Sequence, residues 1–471
     1  MIAALAARAV SRYAAAMKTK PANLRAEYAW LPDGWACDAR LGCDADGSFV
    51  AQPATDDDAS IAHWALPGIA NLHSHAFQRA MAGLAERSGG GGDTFWSWRE
   101  TMYAFAAQIT PDDLQAIAAQ LYGEMLQAGY TQVCEFHYLH HAPHGKPYTD
   151  PAAMSRALIA AARETGIGLT LLPVLYMQGG FDGRALSPRQ ARFGHAIDAF
   201  LRLLERLRAE EDALLRVGMA FHSLRAVPPD ALAAILATLP SSMPRHIHIA
   251  EQTAEVDECI AVRGARPVRW LLDHAVVDAS WTLVHATHLD EGELRGIAAS
   301  GATVALCPTT EANLGDGMFP LRAYLDAGGA CGIGSDSNVS VSPVEELRWL
   351  EYGQRLVTRS RNVAADTRTP SVGETLLRGV ARSAAAGSGV ALGALAPGQR
   401  ADWIVLDAEA PELAARGPAR LIDSWLFNGN RNLVREVYVA GRCVVRDGRH
   451  VDFERIAARY RACVQHLAAT M

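Results

Sequence analysis

The chain has 471 residues, of which 50% are hydrophobic and 20% are charged, enough for a large globular domain plus a smaller one. Its 44 basic and 51 acidic residues give a formal charge of -7 with no basic stripe, so we expect no nucleic-acid partner. Eight scattered cysteines without a CxxC spacing, and no apolar run of 18 residues, predict neither disulfides nor a membrane span and favour the cytoplasm.

Residues 1–20 are predicted to form an N-terminal extension. They are rich in alanine and contain Arg8 and Arg12, a composition that fits either a frayed helix or a weak targeting peptide. We favour the frayed helix because the long apolar core of a signal peptide is absent.

Both ends of the remaining chain are predicted to be β-rich. Residues 21–66 and 390–450 read as short strands and turns, with turns at Asp33-Gly34 and at Gly441. The two segments are predicted to pair into one small β-sandwich domain, which a C-terminal helix within 451–471 follows.

Residues 67–389 alternate strand-like runs with helical stretches, the pattern of parallel βαβ units. One helix begins at Thr110-Pro-Asp-Asp113, where a capping residue precedes a proline at the first helical position. Eight strands can be counted, which predicts an α/β fold with a (β/α)8 TIM-type barrel. The predicted strands are 65–73, 130–137, 169–175, 216–222, 245–250, 281–286, 302–307 and 331–336.

Two of these strands end in a pair of histidines. His73 and His75 follow the first strand, and residues two apart in a strand point the same way, so both imidazoles can reach one ion. His246 and His248 form the second pair, of which we predict His248 as the metal ligand and His246 as a packing residue or as a residue that supports the ligands without binding the metal. Polar groups at the carboxyl ends of barrel strands build active sites, so the pattern predicts a metal-dependent enzyme.

Two later strands end at His285 and Asp336. His285 is either a ligand or the group that holds the attacking water. Asp336 is predicted to bind the metal and to accept the proton of that water. Glu251, three residues beyond His248, can serve as the acid-base group. The predicted metal ligands are His73, His75, His248 and Asp336.

The predicted site holds one metal ion. The only lysines are Lys18, Lys20 and Lys146, and none lies on the fourth strand, where binuclear barrels of this type place a bridging carboxylated lysine. Imidazole and carboxylate ligands suit one Zn²⁺ per chain with an open water position, although another divalent metal also fits.

These motifs resemble the amidohydrolase superfamily. The resemblance rests on Leu72-His-Ser-His75, the His248/Glu251 pair, His285, Gly334-Ser-Asp336 and the turn Pro397-Gly-Gln-Arg-Ala-Asp402. Within this superfamily, the chain resembles most specifically the branch that hydrolyses N-formimino-L-glutamate in histidine degradation. The stretches that carry this narrower resemblance are residues 71–81, 94–102 and 134–138. The match leaves out residues 1–20, and nothing is carried over onto them.

The resemblance implies hydrolysis of a formimidoyl carbon at zinc, with release of ammonia and N-formyl-L-glutamate. In the implied mechanism His285 orients the water, Asp336 takes its proton and Glu251 protonates the leaving nitrogen. The implied substrate is a small molecule with two carboxylates, which arginine binds through parallel hydrogen bonds. The implied substrate-binding residues are Gln78, Arg99 on the loop after the first strand, Tyr138, and His222 and Arg225 after the fourth strand.

Two alternatives stay open. A deaminase of guanine or another heterocycle would use the same barrel, with aromatic rings and amides rather than two arginines around the substrate. A non-catalytic barrel scaffold is disfavoured by the intact ligand set. We further expect a homodimer and a flexible lid at residues 89–92 that excludes water.

Overall fold

The computed structural model describes residues 21–51, 59–87 and 95–470. The predictions of an extension over residues 1–20 and of a lid at residues 89–92 lie outside the described residues. The strands are β1 Asn23–Leu31, β2 Gly34–Cys43, β3 Phe49–Val50, β4 Ala59–Pro67, β5 Ile69–Ser74, β6 Tyr130–His137, β7 Gly168–Leu175, β8 Leu215–Val217, β9 Met219–Ser223, β10 Arg245–Ile249, β11 Trp281–His285, β12 Thr303–Leu306, β13 Ala330–Ile333, β14 Trp403–Leu406, β15 Val434–Val439, β16 Arg442–Arg446 and β17 Arg449–His450. The α-helices are α1 Phe95–Ala106, α2 Pro111–Ala128, α3 Ala153–Thr165, α4 Ile197–Arg208, α5 Pro229–Thr238, α6 Thr253–Arg263, α7 Pro267–His274, α8 Glu291–Ser300, α9 Pro308–Leu314, α10 Leu321–Asp326, α11 Pro343–Thr358, α12 Val372–Ser388, α13 Pro418–Phe427 and α14 Phe453–Thr470.

Parallel strands form the predicted barrel. They are hydrogen-bonded in the order β5-β6-β7-β9-β10-β11-β12-β13, and the short β8 pairs with β7. A backbone bridge between Ser74 and Asp336 joins the first strand to the segment that follows the last one and so closes the ring. The predicted α/β fold with a TIM-type barrel is confirmed.

The sequence of the barrel elements explains how they form. Every residue of β6 and β7 is buried, as expected for strands that face side chains inside the barrel and helices outside it. Helix α2 begins at the predicted cap, where the Thr110 side chain accepts from the backbone N–H of Asp113 and the Asp113 carboxylate accepts from the backbone N–H of Thr110.

Two predicted strand boundaries are wrong. The run 65–73 is not one strand, because Pro67 ends β4 of the small sheet and β5 of the barrel begins after Gly68. A Cβ atom on Gly68 would collide with the Thr131 side chain, so this crossing between the two sheets has no room for a side chain. The run 216–222 is likewise divided at Gly218 into β8 and β9.

The remaining strands come from both chain ends and form one mixed sheet. Their order is β17-β16-β15-β14-β4-β1-β2-β3, and the predicted turns at Gly34 and Gly441 have positive φ. The sheet curls so that the ring centroids of Phe49 in β3 and Trp403 in β14 lie 5.9 Å apart. Its apolar residues form a small core of their own.

Arg400, in the turn that precedes β14, ties this sheet to the barrel. Its buried guanidinium binds the Asp402 carboxylate and donates to Oε1 of Gln132 at 2.8 Å and to the Thr131 carbonyl at 3.2 Å. Thr131 and Gln132 lie at the start of β6, so the small domain is fixed at the end of the barrel away from the carboxyl ends of its strands.

The C-terminal helix α14 packs on the barrel. Arg455 and Arg459 of this helix both donate to the buried carboxylate of Glu164 in α3, at 2.5 Å and 2.7 Å. Within the described parts of the chain, no helix has the length and apolar character needed to span a membrane.

Candidate active site

Four side chains converge at the carboxyl ends of the barrel strands. Nε2 of His73 lies 3.2 Å from Nε2 of His75, 3.0 Å from Nε2 of His248 and 3.4 Å from Oδ1 of Asp336. Nε2 of His75 lies 3.2 Å from the same aspartate oxygen. All four side chains are buried. The structure therefore brings together the whole predicted ligand set.

The other ring nitrogens show how two of these imidazoles are oriented. Nδ1 of His75 lies 2.9 Å from the Phe136 carbonyl, and Nδ1 of His248 lies 3.1 Å from the His222 carbonyl. Since a carbonyl can only accept, each Nδ1 carries the hydrogen and each Nε2 presents a lone pair to the cluster. Metal-ligating histidines commonly make this kind of bond through their second nitrogen.

The cluster fits a divalent cation. Lone pairs and a carboxylate oxygen that lie 3.0 to 3.4 Å apart repel one another unless a cation lies between them. A tetrahedral ion with bonds of about 2.0–2.1 Å holds its ligand atoms about 3.3 Å apart, which agrees with the observed separations. Burial lowers the pKa of His73 to about 3, which favours the neutral form that binds a metal.

Sharp backbone turns aim the side chains at the ends of β11 and β13. His285 and Asp336 have φ values of 67° and 45°, in the left-handed region that residues other than glycine seldom adopt. Such conformations cost about 1–3 kcal/mol each and collect at functional sites. Asn338 holds this region in place, because its side-chain amide donates to the carbonyls of His75 at 3.1 Å and Asp336 at 2.9 Å.

Glu251 and His285 lie beside the ligand cluster. Nε2 of His285 lies 3.8 Å from Oε1 of Glu251 and 3.7 Å from Oδ2 of Asp336, and its Nδ1 lies 3.2 Å from Oε1 of Glu311. Burial acts to lower the pKa of His285, but the nearby carboxylates, Glu251 first, raise it to about 10. Burial also raises the pKa of Glu251. Two groups able to carry protons thus adjoin the predicted metal ligands.

A pocket adjoins the cluster. Nε2 of Gln78 donates to the Tyr138 hydroxyl at 2.9 Å, and the buried Oε1 of Gln78 has no partner among the described residues. The ring centroid of His222 lies 5.1 Å from that of the ligand His248 and 4.4 Å from that of Tyr176. All five predicted substrate-binding residues line this pocket, namely Gln78, Arg99, Tyr138, His222 and Arg225.

Two of these residues are placed differently from the prediction. Arg99 lies on helix α1 and not on a loop, and His222 lies within β9 instead of after it. The helix holds the Arg99 guanidinium 5.4 Å from the centroid of the Tyr103 ring. Burial lowers the pKa of Arg99, and the charge of Arg225 lowers it further, so two cations share one end of the pocket.

Other residues of the pocket were missed in the sequence. Tyr103 and Tyr176 line its arginine end, and Oε2 of Glu255 accepts from the backbone N–H of Glu251 at 3.2 Å. Burial raises the pKa of Glu255 to about 7. Tyr176 directly follows β7, so its position at a strand end could have revealed it. Tyr103 and Glu255 lie inside helices, where the sequence carries no comparable signal.

Barrels that gather metal ligands and proton carriers at the ends of their strands are typically metal-assisted hydrolases, and this chain is built in that way. A family model described as the amidohydrolase family matches residues 64–444. The chain belongs to the amidohydrolase family and is a hydrolytic enzyme, which confirms the resemblance found in its motifs.

Comparison with individual proteins agrees with this family assignment. The chain is 52% identical over 446 residues to formimidoylglutamate deiminase of Pseudomonas aeruginosa, covering 94% of this chain and 98% of that protein. It is 27% identical to 8-oxoguanine deaminase of the same organism, over 90% of this chain and 92% of that protein. The crystal structure of an amidohydrolase from Brucella melitensis matches with a TM-score of 0.89 and 44% identity, covering 95% of this chain and 100% of that one.

Proposed function

We propose that this enzyme hydrolyses N-formimino-L-glutamate to N-formyl-L-glutamate and ammonia in histidine degradation, with one zinc ion per chain. A protein 52% identical over 94% of the chain is a formimidoylglutamate deiminase. The observation that carries the substrate assignment is the pair of arginines, Arg99 and Arg225, in the same pocket as the ligand cluster. At one end of the pocket the two guanidiniums can bind the substrate carboxylates. At the other end the ligand cluster can hold the metal ion that activates water for attack on the C=N carbon.

The donor set suits zinc. His73, His75, His248 and Asp336 would hold the ion, as three neutral imidazoles and one carboxylate within binding distance of a common centre. When bound, zinc supplies Lewis-acid activation of a water molecule, whose pKa it lowers to about 7.

The side chains around the ligands supply the proton transfers. Oδ2 of Asp336 and Nε2 of His285 lie 3.7 Å apart, so His285 can orient the attacking water while Asp336 accepts its proton. Burial favours the protonated form of Glu251, which donates to the departing nitrogen. The water oxygen bonds to the formimidoyl carbon, the bond from that carbon to the terminal nitrogen breaks, and ammonia leaves with N-formyl-L-glutamate as the other product.

A heterocyclic amine is the second candidate substrate. The observation in its favour is that several aromatic side chains line the pocket. Planar rings can stack against such walls, and 8-oxoguanine deaminase is a relative at 27% identity. A neutral heterocycle makes no use of the two guanidiniums, however, whereas each carboxylate of a di-acid accepts from one of them. The aromatic residues are Trp98, Tyr103, Tyr138, Tyr176 and Phe193.

We also propose a cytoplasmic location for this enzyme. All eight cysteines are free in the structure, which suits a reducing compartment.

Replacing Arg99 or Arg225 by methionine should lower kcat/KM for N-formimino-L-glutamate by roughly tenfold or more, because a charge-assisted hydrogen bond contributes about 1.5–3 kcal/mol. Zinc content should stay near one ion per chain, since neither arginine belongs to the ligand cluster. Steady-state kinetics and metal analysis of both variants measure these effects.

The matched control is Arg420→Met, at an exposed arginine on α13, which should behave like wild type. Wild-type kinetics in both active-site variants would show that the arginines do not bind the carboxylates, and would remove the main argument for a di-acid substrate.

A further inference from the structure

Tyr176 stands at the arginine end of the pocket, on the residue after β7. Its ring is almost wholly buried and lies 4.4 Å from the ring of His222, in an edge-on arrangement. The loop between β7 and α4 returns to this ring and places Gln190 against the phenol oxygen, with Nε2 of Gln190 2.8 Å from the Tyr176 hydroxyl.

The direction of that hydrogen bond is fixed by a second one. Oε1 of Gln190 accepts from the backbone N–H of Ser187 at 3.0 Å, and a backbone N–H can only donate. The amide is therefore oriented with its oxygen towards Ser187 and its NH₂ group towards Tyr176. Consequently the phenol oxygen accepts from Gln190, and the phenol hydrogen must be donated to another group.

The surroundings of this hydroxyl favour an anion as that other group. Among the described residues, Gln190 is the hydrogen-bond partner of the Tyr176 hydroxyl. Arg99 and Arg225 line the same pocket, and both lie close enough to Tyr176 to interact with it electrostatically. The phenol O–H and the two guanidiniums are all hydrogen-bond donors in one pocket, which matches a carboxylate, a group that only accepts.

We propose that Tyr176, oriented by Gln190, is a specificity-determining residue that donates its phenol hydrogen to one carboxylate of the substrate. The inference rests on the proposed function, since it names a further donor for a di-acid at the same site. It also predicts discrimination against heterocycles, because a ring N–H or amino group facing this hydroxyl would bring two donors together.

Tyr176→Phe keeps the ring and removes only the hydroxyl. We expect kcat/KM for N-formimino-L-glutamate to fall by roughly tenfold, mainly through KM, with zinc content unchanged. Two analogues identify the carboxylate: N-formimino-4-aminobutyrate lacks the α-carboxylate, and N-formimino-L-norvaline lacks the side-chain carboxylate. With the analogue that keeps the carboxylate bound by Tyr176, Tyr176→Phe should still lower kcat/KM by roughly tenfold. With the analogue that lacks this carboxylate, the variant should lower kcat/KM by about twofold or less.

Gln190→Glu tests the direction of the hydrogen bond without touching Tyr176. The new carboxylate can still accept from the N–H of Ser187, but it also accepts the phenol hydrogen and so turns a lone pair of Tyr176 towards the pocket. We expect kcat/KM to fall by roughly tenfold or more, because the Tyr176 hydroxyl then no longer donates to the substrate carboxylate. In the Tyr176→Phe background the same change has no hydrogen bond to Tyr176 to reverse and acts only through the other contact of Gln190, with Tyr103, so its effect should be several-fold smaller.

Tyr352→Phe, at a partly exposed tyrosine on α11, is the control and should match wild type. An equal loss with all three substrates in Tyr176→Phe, no loss in that variant, or independent effects of the two substitutions would each overturn the inference while leaving the proposed function standing. A wild-type enzyme that fails to hydrolyse N-formimino-L-glutamate would instead overturn the proposed function, and this inference with it.

Discussion

Replacing Glu251 by glutamine is expected to lower kcat by about 10²- to 10⁴-fold, the usual range for loss of a general acid. The amide keeps the size and the hydrogen-bonding groups of the side chain, but it cannot deliver a proton to the departing nitrogen. Glu251 stands outside the four-ligand cluster, so zinc content should remain that of wild type. Turnover with N-formimino-L-glutamate and metal analysis of the same preparation measure both quantities.

Glu258→Gln provides a matched control, because Glu258 is exposed on α6 and only seven residues away in the chain. It should leave kcat unchanged. A near-normal kcat in Glu251→Gln would show that Glu251 is not the proton donor. Loss of zinc from this variant would indicate that Glu251 is a metal ligand instead.

His75→Ala should abolish activity and metal binding together. His75 contributes one of four converging ligand atoms, and its loss leaves an incomplete site in a buried cavity. We expect the purified variant to carry a small fraction of the zinc of wild type, and excess zinc in the assay to restore little turnover.

His466→Ala, at an exposed position on α14, controls for the loss of an imidazole elsewhere. Full zinc content in His75→Ala would contradict the ligand assignment. Loss of zinc with turnover intact would show that the reaction does not depend on the metal.

The parts of the site that could be predicted lie where the chain leaves a strand. His73 and His75 at the end of β5, and His248 within β10, are adjacent to apolar runs that the hydrophobic pattern already reveals. The barrel then brings these ends together whatever the details of its loops. The choice of His248 over His246 agrees with the structure, in which Nε2 of His246 donates to the Gly387 carbonyl, away from the cluster.

The remaining features depend on contacts between distant segments, which no local pattern encodes. Gly68 separates two sheets because its neighbour is Thr131, more than sixty residues away in the chain, so the boundary was predicted wrongly. Gln190 orients Tyr176 from a loop whose path is set by tertiary packing. Helix α1 places Arg99 in the pocket, although its sequence suggested a loop. Geometry of this kind emerges only once the fold is complete.

Ammonia release by the zinc-loaded wild-type enzyme is the most direct test of the proposed function. The panel should contain N-formimino-L-glutamate, other formimino and guanidino acids, guanine and adenine. The paired arginines and the donors around them predict that N-formimino-L-glutamate is the best substrate, with kcat/KM at least about tenfold above any compound that lacks one carboxylate. A panel in which guanine or another heterocycle is best, or in which N-formimino-L-glutamate releases no ammonia, would contradict the assigned substrate.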